Sequence, residues 1–204
     1  MTAGFTRPMR LPHLRPEELT VEQRHLYDTI NQGPRRAANQ GVPSPVGLVD
    51  GEGRLQGPFN AMLFHPVVGM ALQEVGRALR FSGRLPPRAR EIAILIVAAS
   101  ERSDFEWAAH AAIGAHLGLN ATELDALSRA ETVVFEDPLE QVVARAARSI
   151  VATGDLDDED YRATEAILGA AGLVELSALV GLYRALALQM RVFRVPGPPG
   201  PWES

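Results

Sequence analysis

From residue 59 to residue 193 the apolar side chains recur every three or four positions, and almost nowhere do they alternate. Spacing of that kind buries one face of a helix, whereas a half-buried strand needs a period of two. The Ile, Val and Phe residues, which favour strands by propensity, follow the helical spacing too. The chain therefore predicts an all-α fold of about eight helices. A length of 204 residues suits a single domain with a substantial core, with 1–57 as an N-terminal extension and loop.

Punctuation places the helices. Thr20 with Gln23 reads as a capping box opening "LTVEQRHLYDTI", and "NQGPRR" closes that helix. Residues 41–58, "GVPSPVGLVDGEGRLQGP", carry too many glycines and prolines for regular structure. A long ordered loop of this kind is uncommon in a compact domain and often functional. "HPVVGMALQEVGRALRF" puts Val68, Leu72, Val75 and Leu79 on one face, with Pro66 in the first turn. Further helices follow at "PPRAREIAILIVAAS", from Ser103 to Gly118, after Asn120 or Thr122, after Asp137 and after Asp157, and the last is "LVELSALVGLYRALALQMRVF". Ile92–Ala99 and much of Leu173–Phe193 are apolar nearly all round and must be covered on every side. A subunit interface would cover them, so the expectation is a homo-oligomer.

Composition removes several function classes. The net charge is −5 with no basic stripe, so nucleic acid is not an expected partner. The longest strongly apolar run, Ile92–Ala99, is far short of the ~20 residues that span a bilayer, and no signal-peptide pattern opens the chain. A cytoplasmic protein without a membrane partner is expected. There is no cysteine, which excludes thiolate nucleophiles, disulfides and Cys-based metal sites.

The chemistry-bearing residues cluster in "SDFEWAAH" and just before it. Glu106 and His110 stand at i and i+4 and share a helix face that Ile113 and Leu117 continue. Glu91 immediately precedes the apolar run "IAILIVAAS" and needs a partner if buried. Arg102 marks the corner between the two helices, 11 residues past Glu91 and 8 before His110. At ~1.5 Å of rise per residue, an antiparallel pair would bring Glu91, His110 and Glu106 to similar depth. Ser103 and Glu106 also fit a capping box, a role compatible with the first. His110 and His116 lie on different faces and spacing marks no third ligand, so no metal site is expected.

"GPFNAMLFHP", "GRLPPRAREIAILIVAAS" and "FEWAAHAAIGAHLGLNATEL" resemble the carboxymuconolactone decarboxylase-like family, strongly over residues 57–130. That family shares its helical fold with the alkylhydroperoxidase D proteins. The resemblance implies an alkylhydroperoxidase D-like bundle that assembles as a trimer or hexamer. The peroxidase branch uses C-x-x-C followed by a His, with a Glu upstream. Here the Glu and His positions match Glu91 and His110, while Ser103 and Glu106 occupy the cysteine positions. A disulfide-relay peroxidase is therefore excluded. The decarboxylase branch implies a cofactor-free lyase acting on a small organic acid or lactone. On this reading His110, Glu91 and Glu106 are catalytic, and His65, Arg35, Trp107 and Ser103 contact substrate, with Arg36 and Arg54 as further candidate cations. An isomerase or dehydratase would use the same residues, and a non-catalytic binding or structural oligomer would keep only the family's shell.

Overall fold

A computed structural model describes residues 8–38 and 41–202. The first seven residues of the expected N-terminal extension lie outside the described residues. The elements in chain order are a 3-10 turn (Pro16–Glu18), α1 (Val21–Asn31), α2 (Pro34–Ala38), α3 (Pro58–Met62), α4 (Pro66–Phe81), α5 (Pro87–Glu101), α6 (Asp104–His116), α7 (Ala121–Ser128), α8 (Pro138–Thr153) and α9 (Asp158–Phe193). Among the described residues no strand forms, and extended pairing is confined to one isolated bridge, Val49 with Leu55. The fold is all-α.

The helix starts follow their side chains. Thr20 and Gln23 close the expected capping box on α1, Asn120 and Glu123 form one on α7, and Asp137 and Asp157 cap α8 and α9. Gly169, at φ 66°, interrupts α9 and separates an amphipathic first part from the apolar second part.

α5 is the axis of the bundle. Every residue from Ile92 to Ala98 is buried. Its cover comes from this chain's own α6, α7, α8 and α9, so the all-round apolar pattern of α5 needs no second subunit. α8 supplies Val143, Ala146 and Ala147, and α9 supplies Leu176, Leu179, Val180 and Leu186 to the same core. By length and hydropathy α9 could cross a bilayer. Here one side of it is the wall of the core, while Val174 and Leu188 on the other side are 68% and 54% exposed.

α4 turns a different face inward from the one its valines suggest. Val68 and Val75 are 46% and 43% exposed, and the buried residues are Gly69, Gln73, Gly76, Leu79 and Arg80. The glycines are the physical reason. A Cβ on Gly69 would meet the Met62 carbonyl and Leu26, so only a bare backbone can approach α1 and α3 this closely.

α5 reverses into α6 within a single left-handed residue, Arg102 at φ 48°. Arg102 N–H and Ser103 N–H donate to the carbonyls of Ala99 and Ala98, which satisfies the end of α5 in the manner of a helix C-cap. The reversal lays α6 antiparallel on α5.

Loop 41–58 is ordered by its own turn and by its anchors. Asp50 accepts the backbone N–H groups of Glu52 and Arg54 and the Arg54 Nε–H at 2.7 Å, while Leu55 is fully buried. Gly57 closes the loop at φ 61°, against the ring of Phe105 on α6. A side chain there would be strained twice, by its φ and by collision with the ring. Gly57→Ala is expected to destabilise the protein by about 1–3 kcal/mol. Urea titration checks this, and an unchanged midpoint would contradict it.

Candidate active site

The α5–α6 reversal sets Glu91 against His110. Glu91 is wholly buried and His110 is 7% exposed, with Nδ1 at 2.6 Å from Glu91 Oε2. The other Glu91 oxygen faces Arg90 Nε at 3.6 Å, and Arg90 in turn donates to the Arg80 carbonyl. Arg88 pairs with Glu123 and Glu140 instead, so Glu91 relies on His110 and Arg90. Tyr183 of α9 packs its ring edge against His110, 5.1 Å between centroids. Arg80 Nη1 lies 3.5 Å from the Tyr183 hydroxyl oxygen.

His110, Tyr183 and Arg80 line a cavity of about 360 Å³, whereas Glu91 and Arg90 are not part of its lining. α4 contributes Gln73, Gly76 and Arg80, α6 contributes Phe105, Glu106 and His110, and α9 contributes Leu182, Tyr183 and Leu186. The remaining wall is loop 41–58, through Val42, Ser44 and Val46–Val49. Arg35 of α2 reaches in over the Phe59 ring, 5.0 Å from its centroid, close to the bare backbone of Gly76. The lining is apolar in body with a few convergent polar groups, as small-molecule sites are.

Burial and charge set the protonation states. Burial alone would raise Glu91, but His110, Arg80 and Arg90 outweigh it and hold it below the usual carboxylate range. Burial lowers His110, helped by Arg80 and Arg35 and opposed by Glu91. The pair is therefore a carboxylate and a neutral imidazole. In that state Nδ1–H donates to Glu91 and Nε2 keeps its lone pair. The tautomer is assigned from this partner. Glu106 is pushed up to about 8 by burial, with Ser103 opposing and Glu101 adding. At neutral pH it is a carboxylic acid. Arg35 is lowered to about 10 by burial and by Arg80, and so stays cationic.

The structure brings Glu106, His110 and Arg35 to one cavity, with Arg36 also in its lining, and Glu91 connects to it only through His110. Four other residues named from the sequence do not reach it. His65 is exposed and caps α4, accepting the Val68 N–H at 3.4 Å. Trp107 is outside the lining and stands edge-on to Trp202, whose Nε1–H donates to Asp104. Ser103 is buried at the start of α6 beside a separate cavity of about 210 Å³. Arg54 is bound to Asp50. The Ser103–Glu106 capping box does not form, because the Glu106 carboxyl turns into the interior and neither of its oxygens has a hydrogen-bond partner. Sequence reasoning missed Gln73, Arg80 and Tyr183. The signal for the first two was the Gly69–Gln73–Gly76–Arg80 stripe, overshadowed by the valines on the other side of α4.

Because Glu106 ionises at about 8 folded against 4.5 unfolded, its contribution to stability is complete below pH 4.5 and is lost as pH rises through about 8. Glu106→Gln should remove that dependence and be the more stable protein in mildly alkaline buffer. Melts of both proteins between about pH 5 and pH 9 check this. Parallel pH curves would contradict it.

Residues 66–149 match the family model described as the carboxymuconolactone decarboxylase family. None of the curated proteins matches the chain. Among solved structures it is similar to the alkylhydroperoxidase AhpD core of an uncharacterized peroxidase-related protein from Ralstonia eutropha JMP134, with TM-score 0.70, 15% identity and coverage of 94% of each chain. It is also similar to the debrominase Bmp8 in complex with 2,3,4-tribromopyrrole, with TM-score 0.65, 13% identity and coverage of 94% of each chain. A protein of unknown function from Agrobacterium tumefaciens aligns with TM-score 0.60 and 17% identity, over 71% of this chain and 99% of that one. At such identities the likeness is one of fold. The matched segment contains α4 to most of α8, and with it Glu91, Glu106 and His110. Over residues 66–149 the chain is similar to the carboxymuconolactone decarboxylase family, its fold is alkylhydroperoxidase D-like, and it has no cysteine.

Proposed function

We propose that the protein is a lyase that acts on a small organic acid or lactone by acid–base chemistry at His110 and Glu106. The observation that carries the reading is the pairing, on one cavity wall, of a neutral imidazole held by Glu91 at 2.6 Å with a protonated carboxyl one turn earlier on the same helix. Two titratable groups whose surroundings push them into opposite roles are the mark of an acid–base pair.

In the reaction so read, the ligand's carboxylate approaches Arg35, a cation whose Nε is buried without a partner. Breaking the bond to the departing CO2 leaves its electron pair in a conjugated system, as a dienolate. That carbon must then take a proton. Glu106 supplies it, becomes a carboxylate, and is reprotonated from solvent water by way of His110, whose Nε2 lone pair takes the proton and passes it on. Glu91 orients the imidazole and stabilises its transient cationic form. The steps use side chains of this chain and one solvent proton. Isomerisation or dehydration would run through the same two groups, with His110 taking the proton and Glu106 returning one.

A small planar ring is the size of ligand the cavity suits, as the tribromopyrrole bound by the structurally similar debrominase also is. This chain lacks cysteine, so a thiol-dependent route is closed to its own side chains. The same reading takes the protein to be a cytoplasmic trimer or hexamer. Assembly would cover Val67, 78% exposed, with Val68 and Val75 on α4. Light scattering on the purified protein should give one of those two masses, and a monomer would contradict it.

The activity test is turnover of carboxylated unsaturated lactones and 3-oxo acids in D2O, followed by NMR for solvent deuterium at the product carbon. His110→Ala and Glu106→Gln should each lower kcat by roughly 10²- to 10⁴-fold, with Glu91→Gln also impaired. The wild-type rate should fall as pH rises through about 8, where Glu106 loses its proton. Wild-type rates in both variants would overturn the reading.

A further inference from the structure

The acid–base reading leaves the other side of the cavity without a task. Arg80 is 9% exposed and Tyr183 is 5% exposed, and both line the cavity. Among the described residues Arg80 forms no ion pair, and its Nε is buried with no hydrogen-bond partner. Glu91, the nearby carboxylate, is already engaged by His110 and Arg90. A buried guanidinium left short of partners is costly. The deficit extends along α4, where the Gln73 amide oxygen, two turns earlier on the same face, is also buried and unpartnered. The cavity lining thus holds Arg35, Arg36 and Arg80, and the carboxyl group it contains, Glu106, is protonated at neutral pH.

Tyr183 completes the geometry. Its hydroxyl oxygen faces Arg80 Nη1 at 3.5 Å and can accept that N–H, which leaves its own O–H to donate. Its ring edge lies against His110. Donors from two helices, α4 and α9, therefore meet next to His110, whose ring centroid is 5.1 Å from that of Tyr183.

We propose that Arg80 and Tyr183 form an oxyanion site that receives the negative charge developing on a carbonyl oxygen conjugated to the reacting carbon. The inference rests on the acid–base reading for its chemistry and narrows the substrate to a conjugated carbonyl compound, a ring lactone or ketone. As the bond to the departing group breaks, its electron pair moves through the conjugated double bond onto the carbonyl oxygen. That oxygen takes hydrogen bonds from Tyr183 O–H and Arg80 N–H, and no proton passes to it. When Glu106 protonates carbon, the pair returns and the carbonyl is restored. Donors preset for charge that appears only in the transition state act on kcat more than on substrate binding.

The test uses 4-nitrophenol, whose phenolate carries the same delocalised oxyanion, with binding followed by its visible absorption. Wild-type protein should bind the phenolate and lower the apparent pKa of the bound probe. Tyr183→Phe, which keeps the ring contact with His110, should weaken phenolate binding about tenfold or more, and Arg80→Met should do the same. Thermal melts confirm that each variant is folded, and Tyr183→Phe alone suffices if Arg80→Met is not. No phenolate binding by the wild type, binding of the neutral phenol, or equal affinity in Tyr183→Phe would overturn the proposal. So would 4-nitrobenzoate binding that exceeds phenolate binding and ignores Tyr183→Phe, since Arg80 would then be a carboxylate clamp. The probe needs no turnover, so failure of the acid–base reading and failure of the oxyanion site are separately visible.

Discussion

A single buried contact, Glu91 Oε2 to His110 Nδ1, organises the centre of this protein. α5 is covered on all sides, and its one charge inside that cover is Glu91. A carboxylate stripped of water in such a place demands a partner, and a lone one would be protonated or would unfold its surroundings. His110 meets the demand only because Arg102 adopts a left-handed turn that folds α6 straight back on α5. The same turn commits Glu106, one helical turn before His110, to the same interior. The reversal, the dyad and the acid are thus one construction.

The electrostatics of the cavity follow from that construction. Arg35 and Arg80 line the cavity beside a neutral Glu106, while the Glu91 carboxylate stands outside its lining, between His110 and Arg90. Burial, helped by Arg80 and Arg35, keeps His110 deprotonated, and His110 with Arg80 and Arg90 holds Glu91 ionised against its burial. The lining arginines also make the space favourable for a ligand that carries or develops negative charge. The apolar walls from α9 and loop 41–58 keep water scarce, which strengthens each of these interactions.

The apolar periodicity was enough to establish helices, and the caps at Thr20, Asn120, Asp137 and Asp157 located their starts. It misled on α4, because a stripe of valines advertises a buried face more loudly than glycines do. The inward face is the one with Gly69 and Gly76, where close approach of backbone and of Arg35 matters more than apolar area. Ser103 and Glu106 show a second kind of limit. Their spacing allows a capping box as well as an inward carboxyl, and the surrounding packing selected the latter.

The sequence by itself determined the all-α class, the helix order, the absence of thiol chemistry and the i, i+4 placement of Glu106 and His110, since all of these depend on local spacing and residue type. It also indicated Glu91 as a charge in search of a partner. Only the tertiary structure decided which partner, which arginines stand near it, and that Arg80 and Tyr183, 103 positions apart, line one cavity with His110. The physical reason is that burial and side-chain convergence across helices depend on how α4, α6 and α9 pack around α5, and spacing within one helix carries no record of its neighbours.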